Sequence, residues 1–265
     1  MVTVPKEVTR YLQAVTARVR DVFGDHVVGV YTTGSLALGD YRTGRSDIDL
    51  MAVVAESEGL DLRRKLAQQL DHRVLTCPAA GLEFVLYPLA AVGRPTTDAG
   101  YLLNLNTGLA LPPVMSFDPG DGPAFWYAID RAITYQSGAP LYGPPAPQLF
   151  AALPFDDLLR VVIASVDAHS DPKEGHLLDN AVLNGCRASS FARDHRWYAK
   201  VDAAKRTLPI AGEFAPLVSA AIVSFDAGRR EAATLDPNTV RAFLSEVLRR
   251  LRAQLNHVNQ PSGAS

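Results

Sequence analysis

The stretch GSLALGDYRTGRSDIDL, Gly34 to Leu50, decides the fold, because a β-rich run flanks its working part on each side. VVGVYT (Val27–Thr32) leads into Gly34-Ser35, and LMAVV (Leu50–Val54) leads out of Asp47-Ile48-Asp49. Residues two apart on a strand face the same side. Asp47 and Asp49 therefore project together, while Ile48 points into the core. Two parallel carboxylates on a rigid strand suit Mg²⁺, a hard cation that combines a few carboxylate oxygens with phosphate oxygens. Gly34 lets the backbone approach a phosphate closely, and Ser35 can donate a hydrogen bond to it. A lone Asp-x-Asp is ordinarily solvated turn chemistry, and a lone Gly-Ser is ordinarily a turn. In this order and this β context, the two together point to a metal-triphosphate site. Gly34, Ser35 and Ser46 would cradle the β- and γ-phosphates.

The bulk numbers restrict the remaining classes. The 265 residues fit one large domain or two of ordinary size. Net charge is −2, from 26 basic and 28 acidic residues, which leaves no overall electrostatic footprint for nucleic acid. No apolar run approaches the length needed to cross a bilayer. MVTVPKEVTR lacks the apolar core and cleavage site of a signal peptide. Cys77 and Cys186 have no CxxC spacing, so a reduced cytoplasmic setting is expected. No nucleic-acid or membrane partner is expected, and the chain is expected to be a monomer.

Periodicity organises the chain. Val8, Tyr11, Leu12, Val15, Val19, Val22 and Phe23 fall on one helical face, and Gly24-Asp25 ends that helix. Leu60 to Leu70 reads as a second amphipathic helix with Arg63, Arg64 and Lys65 outward. Leu82–Tyr87 is a third strand, closed by Pro88. Residues 91–100 read as loop, Ala124 to Gln136 as helix, and the Gly/Pro-rich segments 137–140 and 143–147 as a domain linker. From Phe155 the β signals stop. Helices are expected over 155–169, 176–193, 198–206, 213–227 and 237–257, the last opened by Asp236-Pro237 as N-cap and first helical residue. The expected fold class is α+β: an α/β domain over 1–150, a helical bundle over 151–258 and a disordered tail over 259–265. A cleft between the two domains is the natural ligand site.

The Gly34-Ser35 turn followed by Asp47-Ile48-Asp49 between apolar stretches resembles the nucleotidyltransferase superfamily. Leu82-Glu83-Phe84-Val85-Leu86-Tyr87 carries a single acid on the strand where that superfamily places a third carboxylate. Ile129-Asp130-Arg131-Ala132, Leu141-Tyr142-Gly143-Pro144 and Asn180-Ala181-Val182-Leu183-Asn184-Gly185-Cys186-Arg187 narrow the likeness. Over residues 5 to 255 the chain is similar to the bacterial aminoglycoside O-adenylyltransferases that modify streptomycin and spectinomycin. The resemblance implies transfer of AMP from ATP to an antibiotic hydroxyl, with Mg²⁺ (two ions) held by Asp47, Asp49 and Glu83. It also implies Glu83 as general base on the acceptor hydroxyl, Arg187 and Lys200 on the triphosphate, and Asp130 near the nucleotide.

Each assignment has a plainer competitor. Glu83 is alone in an apolar strand, and an unpaired buried carboxylate costs several kcal/mol; if that strand lies at a sheet edge, Glu83 instead faces solvent. Arg187 and Lys200 can be surface cations, and Asp130 can form a solvated ion pair with Arg131. On the acceptor side, Asp167, Asp171, Glu174 and Asp179 concentrate acids that would attract a cationic aminocyclitol. The same cluster is equally an ordinary acidic loop, and His169 and His176 have no ligand spacing. The family members that take streptomycin use a Trp and an Asp close to this loop. No Trp occurs between residues 127 and 196, and Ala168 or His169 stands in its place, which favours spectinomycin. Phe225 stands where the family has a nucleotide-contacting Tyr. The alternatives are the same chemistry on a protein hydroxyl or a metabolite, or a nucleotide-binding module without catalysis.

Overall fold

The computed structural model describes residues 4–57, 59–173, 175–229 and 233–258. The expected tail over 259–265 and Glu174 lie outside these. The chain divides into two compact units, Met1–Leu153 and Pro154–Ser265.

In the first unit the order is α1 (Lys6–Phe23), β1 (Val27–Thr32), α2 (Gly34–Ala37), β2 (Ile48–Val54), α3 (Leu60–Leu70), β3 (Leu82–Pro88), α4 (Leu89–Val92), β4 (Leu103–Thr107), β5 (Val114–Ser116), α5 (Ala124–Ser137) and β6 (Pro140–Tyr142). The six strands form one sheet in the order β5-β4-β3-β2-β1-β6. Among the described residues only β2 and β3 run parallel. That pair needs a crossover, and α3 supplies it.

Strand alternation splits the core into two layers. Ile48, Leu50, Ala52, Leu82, Phe84 and Leu86 pack under α1 and α3. The α1 residues they meet are the seven read from periodicity, all buried. Met51, Val53, Val85 and Tyr87 face the other way, against Tyr101, Tyr127 and Phe150. Arg63 does not point outward with Arg64 and Lys65; its guanidinium donates to the Leu102 carbonyl at 3.1 Å.

Three strands, β4, β5 and β6, depart from the sequence reading. β4 was hidden by its asparagines, which are depleted in strands. The segment read as a linker is instead sewn to the sheet edge. β6 pairs with β1, the Tyr31 hydroxyl donates to the Pro144 carbonyl at 2.7 Å, and Gly143 (φ +90°) lies so close to β1 that a Cβ would stand 2.3 Å from the Val28 oxygen. Pro140 is tolerated because an edge strand needs no donor on its outer side.

The second unit contains α6 (Phe155–Ala168), α7 (His176–Asp194), α8 (Lys200–Thr207), α9 (Ala215–Asp226) and α10 (Pro237–Val258). α7 is its axis and is buried along most of its length. Gly185 lets α10 approach, since a Cβ there would sit 2.9 Å from Phe243 and 3.0 Å from Leu244. Asp236 caps α10 as read: its carboxylate accepts from the Thr239 N–H at 3.0 Å and the Asn238 N–H at 3.3 Å. The Thr239 hydroxyl first, and then these backbone bonds, hold the Asp236 carboxyl below the usual carboxylate range. No helix among the described residues is long and apolar enough to cross a membrane.

Arg131 staples the first unit's long loop. Buried on α5, its guanidinium donates to the carbonyls of Ala91 (3.3 Å), Thr96 (2.8 Å) and Asp98 (2.7 Å) and lies 5.7 Å from the Tyr87 ring centre. Arg131→Met is expected to lower unfolding free energy by about 1.5–3 kcal/mol, the range for hydrogen bonds to a charged group. Urea denaturation measures this, and hydrogen exchange is expected to quicken over 91–101.

Candidate active site

The site begins with a backbone constraint. Gly34 has φ +55° and opens the single turn α2 against β2. A Cβ at Gly34 would lie 2.0 Å from Asp49 Oδ2, so only glycine lets the turn rest on that carboxylate. Thr33 fastens the junction on both sides: its N–H donates to the Asp49 carbonyl at 3.0 Å and its hydroxyl to the Asp130 carbonyl at 3.1 Å. The first-turn N–H groups of Gly34 and Ser35 have no intrahelical acceptor. The Ser35 hydroxyl is buried without a hydrogen-bond partner among the described residues. An orphaned donor beside a glycine turn and carboxylates is what a phosphate cradle requires.

Asp47 and Asp49 flank fully buried Ile48 at the start of β2, both half-buried. The parallel register then places Glu83 directly beside Asp49. β3 is an interior strand, so the solvent-facing edge reading of Glu83 falls away. On its other side Glu83 pairs with Asn106 of β4. Asp49, Glu83 and Asn106 thus form a polar row across three strands, on the face whose next row is Met51, Val85 and Asn104. Asp130 joins from α5. The Tyr127 hydroxyl, raised above its ordinary value first by burial and then by Tyr101, also feels the charges of Asp130 and Glu83. The Asp47 charge also adds to the shift of the buried Tyr41 hydroxyl and the buried Cys77 thiol, both raised chiefly by desolvation.

Ser46 is engaged in the turn before Asp47. Its hydroxyl accepts from the Arg42 N–H at 3.0 Å and its N–H donates to the Arg42 carbonyl at 2.9 Å. Its hydroxyl proton stays available for a ligand, but its first task is to shape the approach to Asp47.

Among the described residues no three His, Cys, Asp or Glu side chains are arranged to hold a metal ion. Like charges brought together without a cation repel. A Mg²⁺ ion that keeps waters and takes phosphate oxygens needs only one or two carboxylates. Asp47 and Asp49, with the orphaned Ser35 hydroxyl and the Gly34 cradle, fit that requirement, and the register sets Glu83 beside Asp49.

Arg187 and Lys200 belong to the second unit. Asn180, Asn184 and Arg187, spaced by four and three residues on α7, form a half-exposed polar stripe on an otherwise buried helix. Lys200 opens α8 beside it, its ammonium donating to Asn180 Oδ1 at 3.0 Å and lying 5.8 Å from the Phe225 ring centre. Lys200 and Phe225, read separately in the sequence, are therefore neighbours. The acidic loop reads differently in three dimensions. Asp167 pairs with Arg252 at 2.9 Å, and Asp171 with Arg241 at 3.0 Å and with Lys173. Asp179 is fully buried and accepts from the Ser224 hydroxyl at 2.6 Å. A helix that must turn one flank inward took Asp179 with it, so that acid is no part of an acidic rim.

Sequence reasoning missed Thr33 and Asn106. The signal for Asn106 was present in the strict alternation Leu103-Asn104-Leu105-Asn106-Thr107.

Residues 12–82, within the first unit, match the family model described as a nucleotidyltransferase domain. The match contains Gly34, Ser35, Asp47 and Asp49 and stops one residue before Glu83. No curated protein matches the chain by sequence. Among solved structures, the fold resembles spectinomycin adenyltransferase AAD(9) from Enterococcus faecialis, determined with ATP and spectinomycin. The likeness has a TM-score of 0.70 at 15% identity and covers 92% of this chain and 99% of that one. Both findings agree with the family resemblance read from the sequence.

Gly34→Ala and Gly39→Ala separate strain from site damage. Both have left-handed backbone, φ +55° and +71°, but a Cβ at Gly39 meets nothing within 4 Å. Each is expected to lose about 1–2 kcal/mol of stability. Only Gly34→Ala, which drives a methyl into the Asp49 carboxylate, is expected to lose Mg-ATP binding in calorimetry.

Proposed function

We propose that this protein transfers AMP from ATP to a hydroxyl of an aminocyclitol antibiotic of the spectinomycin class, releasing pyrophosphate. The observation that carries the reading is the side-by-side placement of Asp49 and Glu83 under a turn that only glycine permits. One carboxylate of that pair can serve the donor and the other the acceptor.

Asp47 and Asp49 would hold Mg²⁺. When bound, the ion neutralises charge on the triphosphate and on the departing pyrophosphate. Gly34 and Ser35 orient the β- and γ-phosphates through first-turn N–H groups and the unpartnered hydroxyl. Glu83 takes the proton from the acceptor hydroxyl. The acceptor oxygen bonds to the α-phosphorus as the bond from that phosphorus to the β-bridging oxygen breaks. Asp130 stands on α5 beside the same pair, where it can orient the nucleotide. Arg187 and Lys200 are assigned to triphosphate binding from the second unit.

ATP as donor is supported by the domain match and by the fold shared with an ATP-bound adenyltransferase. Spectinomycin over streptomycin rests on the absence of Trp from 127 to 196 and on the name of that structural neighbour. A second acceptor class, an uncharged metabolite or protein hydroxyl, is favoured by one observation. Asp167, Asp171 and Asp179 are all engaged internally, which weakens the case for a cationic acceptor.

Pyrophosphate release is expected to require Mg²⁺, ATP and an acceptor together, and the modified acceptor is expected to gain the mass of AMP. Spectinomycin, streptomycin and uncharged polyols tested in parallel separate the acceptor classes. No turnover with any of them, despite ATP binding, would return the chain to a binding module.

Glu83→Gln is expected to lower kcat by about 10²–10⁴, the usual worth of a general base, with ATP affinity retained. Asp47→Asn is expected to lose ATP binding as well. Full activity in Glu83→Gln would remove the base assignment.

A further inference from the structure

The second unit contains a buried polar contact with no role so far. Asp179 on α7 and Ser224 on α9 are both essentially inaccessible, and the Ser224 hydroxyl donates to Asp179 Oδ2 at 2.6 Å. The same hydroxyl accepts the Ala233 N–H at 2.9 Å, tying in the chain beyond α9. A hydroxyl that donates to a buried carboxylate and accepts from a backbone amide is held from both sides, and such a contact fixes the register of the helices it joins.

The residues next in sequence give this clip a use. Asn180 follows Asp179, and Phe225 follows Ser224. Successive helical residues diverge by about 100°, so an inward Asp179 turns Asn180 toward the half-exposed stripe. Asn180 Oδ1 accepts from the Lys200 ammonium at 3.0 Å, and the Phe225 ring centre lies 5.8 Å from that nitrogen. The two groups that flank the ammonium are thus each carried by the residue beside one end of the clip.

We propose that Asp179 and Ser224 are positioning residues: their buried hydrogen bond sets Asn180 and Phe225, and through them aims the Lys200 ammonium for a nucleotide phosphate. The inference rests on the assignment of Lys200 to nucleotide binding. Neither Asp179 nor Ser224 touches the nucleotide. Lys200 on a flexible four-carbon stem loses aim unless its neighbours fix it, and the clip supplies that fixity from inside the bundle.

Two measurements on the full chain test it separately. The first is independent of ATP: acylation of Lys200 by an amine-reactive ester, quantified by mass spectrometry with exposed Lys205 on the same helix as internal reference. Ser224→Ala, Asp179→Asn and Asn180→Ala are each expected to change the Lys200 rate relative to Lys205. Unchanged rates in all three overturn the proposal. The second is a double-mutant cycle on Mg-ATP affinity by calorimetry. Ser224→Ala is expected to weaken binding about tenfold, the scale of one hydrogen bond to a charged group, and to have no further effect in a Lys200→Ala background. Additive losses overturn the clip, because a general structural defect would add to loss of the lysine. Altered acylation with undiminished ATP affinity in Lys200→Ala keeps the clip but removes the nucleotide assignment on which its purpose rests. Ser224→Thr restores the hydroxyl and is expected to recover the wild-type acylation rate. Asp179→Asn, close in shape, provides a second folded variant should Ser224→Ala denature.

Discussion

The parallel pairing of β2 with β3 is the constraint on which the active-site arrangement depends. Its register sets Asp49 beside Glu83, and no slip by one residue is tolerated, since it would carry Phe84 and Leu86 out of the core and put Glu83 into it. The α3 crossover, itself anchored by Leu66, Ala67 and Leu70 in the same core layer, enforces that register. The apolar packing of one sheet face therefore determines the polar chemistry of the other. An enzyme site that would be costly to align by loops is aligned by the same side chains that stabilise the domain.

Much of this was legible because it follows short-range rules. The α1 stripe is a matter of helical period, the Asp47-Ile48-Asp49 alternation of strand period, and the Asp236 cap of local hydrogen bonding. What was illegible depends on distant partners. Whether Glu83 faces solvent or a neighbour depends on β4, whose Asn104 and Asn106 weaken its strand signal. Pro140 and Gly143 look like a linker until β1 is seen to need an edge partner. Asp179 reads as one acid among several, and only the packing of α7 against α9 decides that it goes inward to Ser224.

The candidate site residues divide in the same way. Gly34, Ser35, Asp47 and Asp49 were readable because their chemistry is contained in one turn and one strand start. Arg187 and Lys200 were readable only through resemblance; nothing in their spacing announces the Asn180–Lys200–Phe225 neighbourhood. The acids of the metal set were legible in part: Asp47-Ile48-Asp49 is a local alternation, whereas Glu83 comes beside Asp49 only through the long-range parallel register of β2 and β3.

The edge pairing of β6 with β1 has a consequence for synthesis. Val30 pairs with Tyr142, and Tyr31 bonds to Pro144 across a separation of 113 residues. A nascent chain that has emerged only through Pro88 already contains Gly34, Asp47, Asp49 and Glu83, yet both outer partners of their strands, β4 and β6, are still to be translated. Contacts of such long sequence separation form late. On the ribosome, β3 therefore waits with an open edge until β4 appears and β1 until β6 appears, and that interval is when the first unit is most exposed to mispairing with other chains.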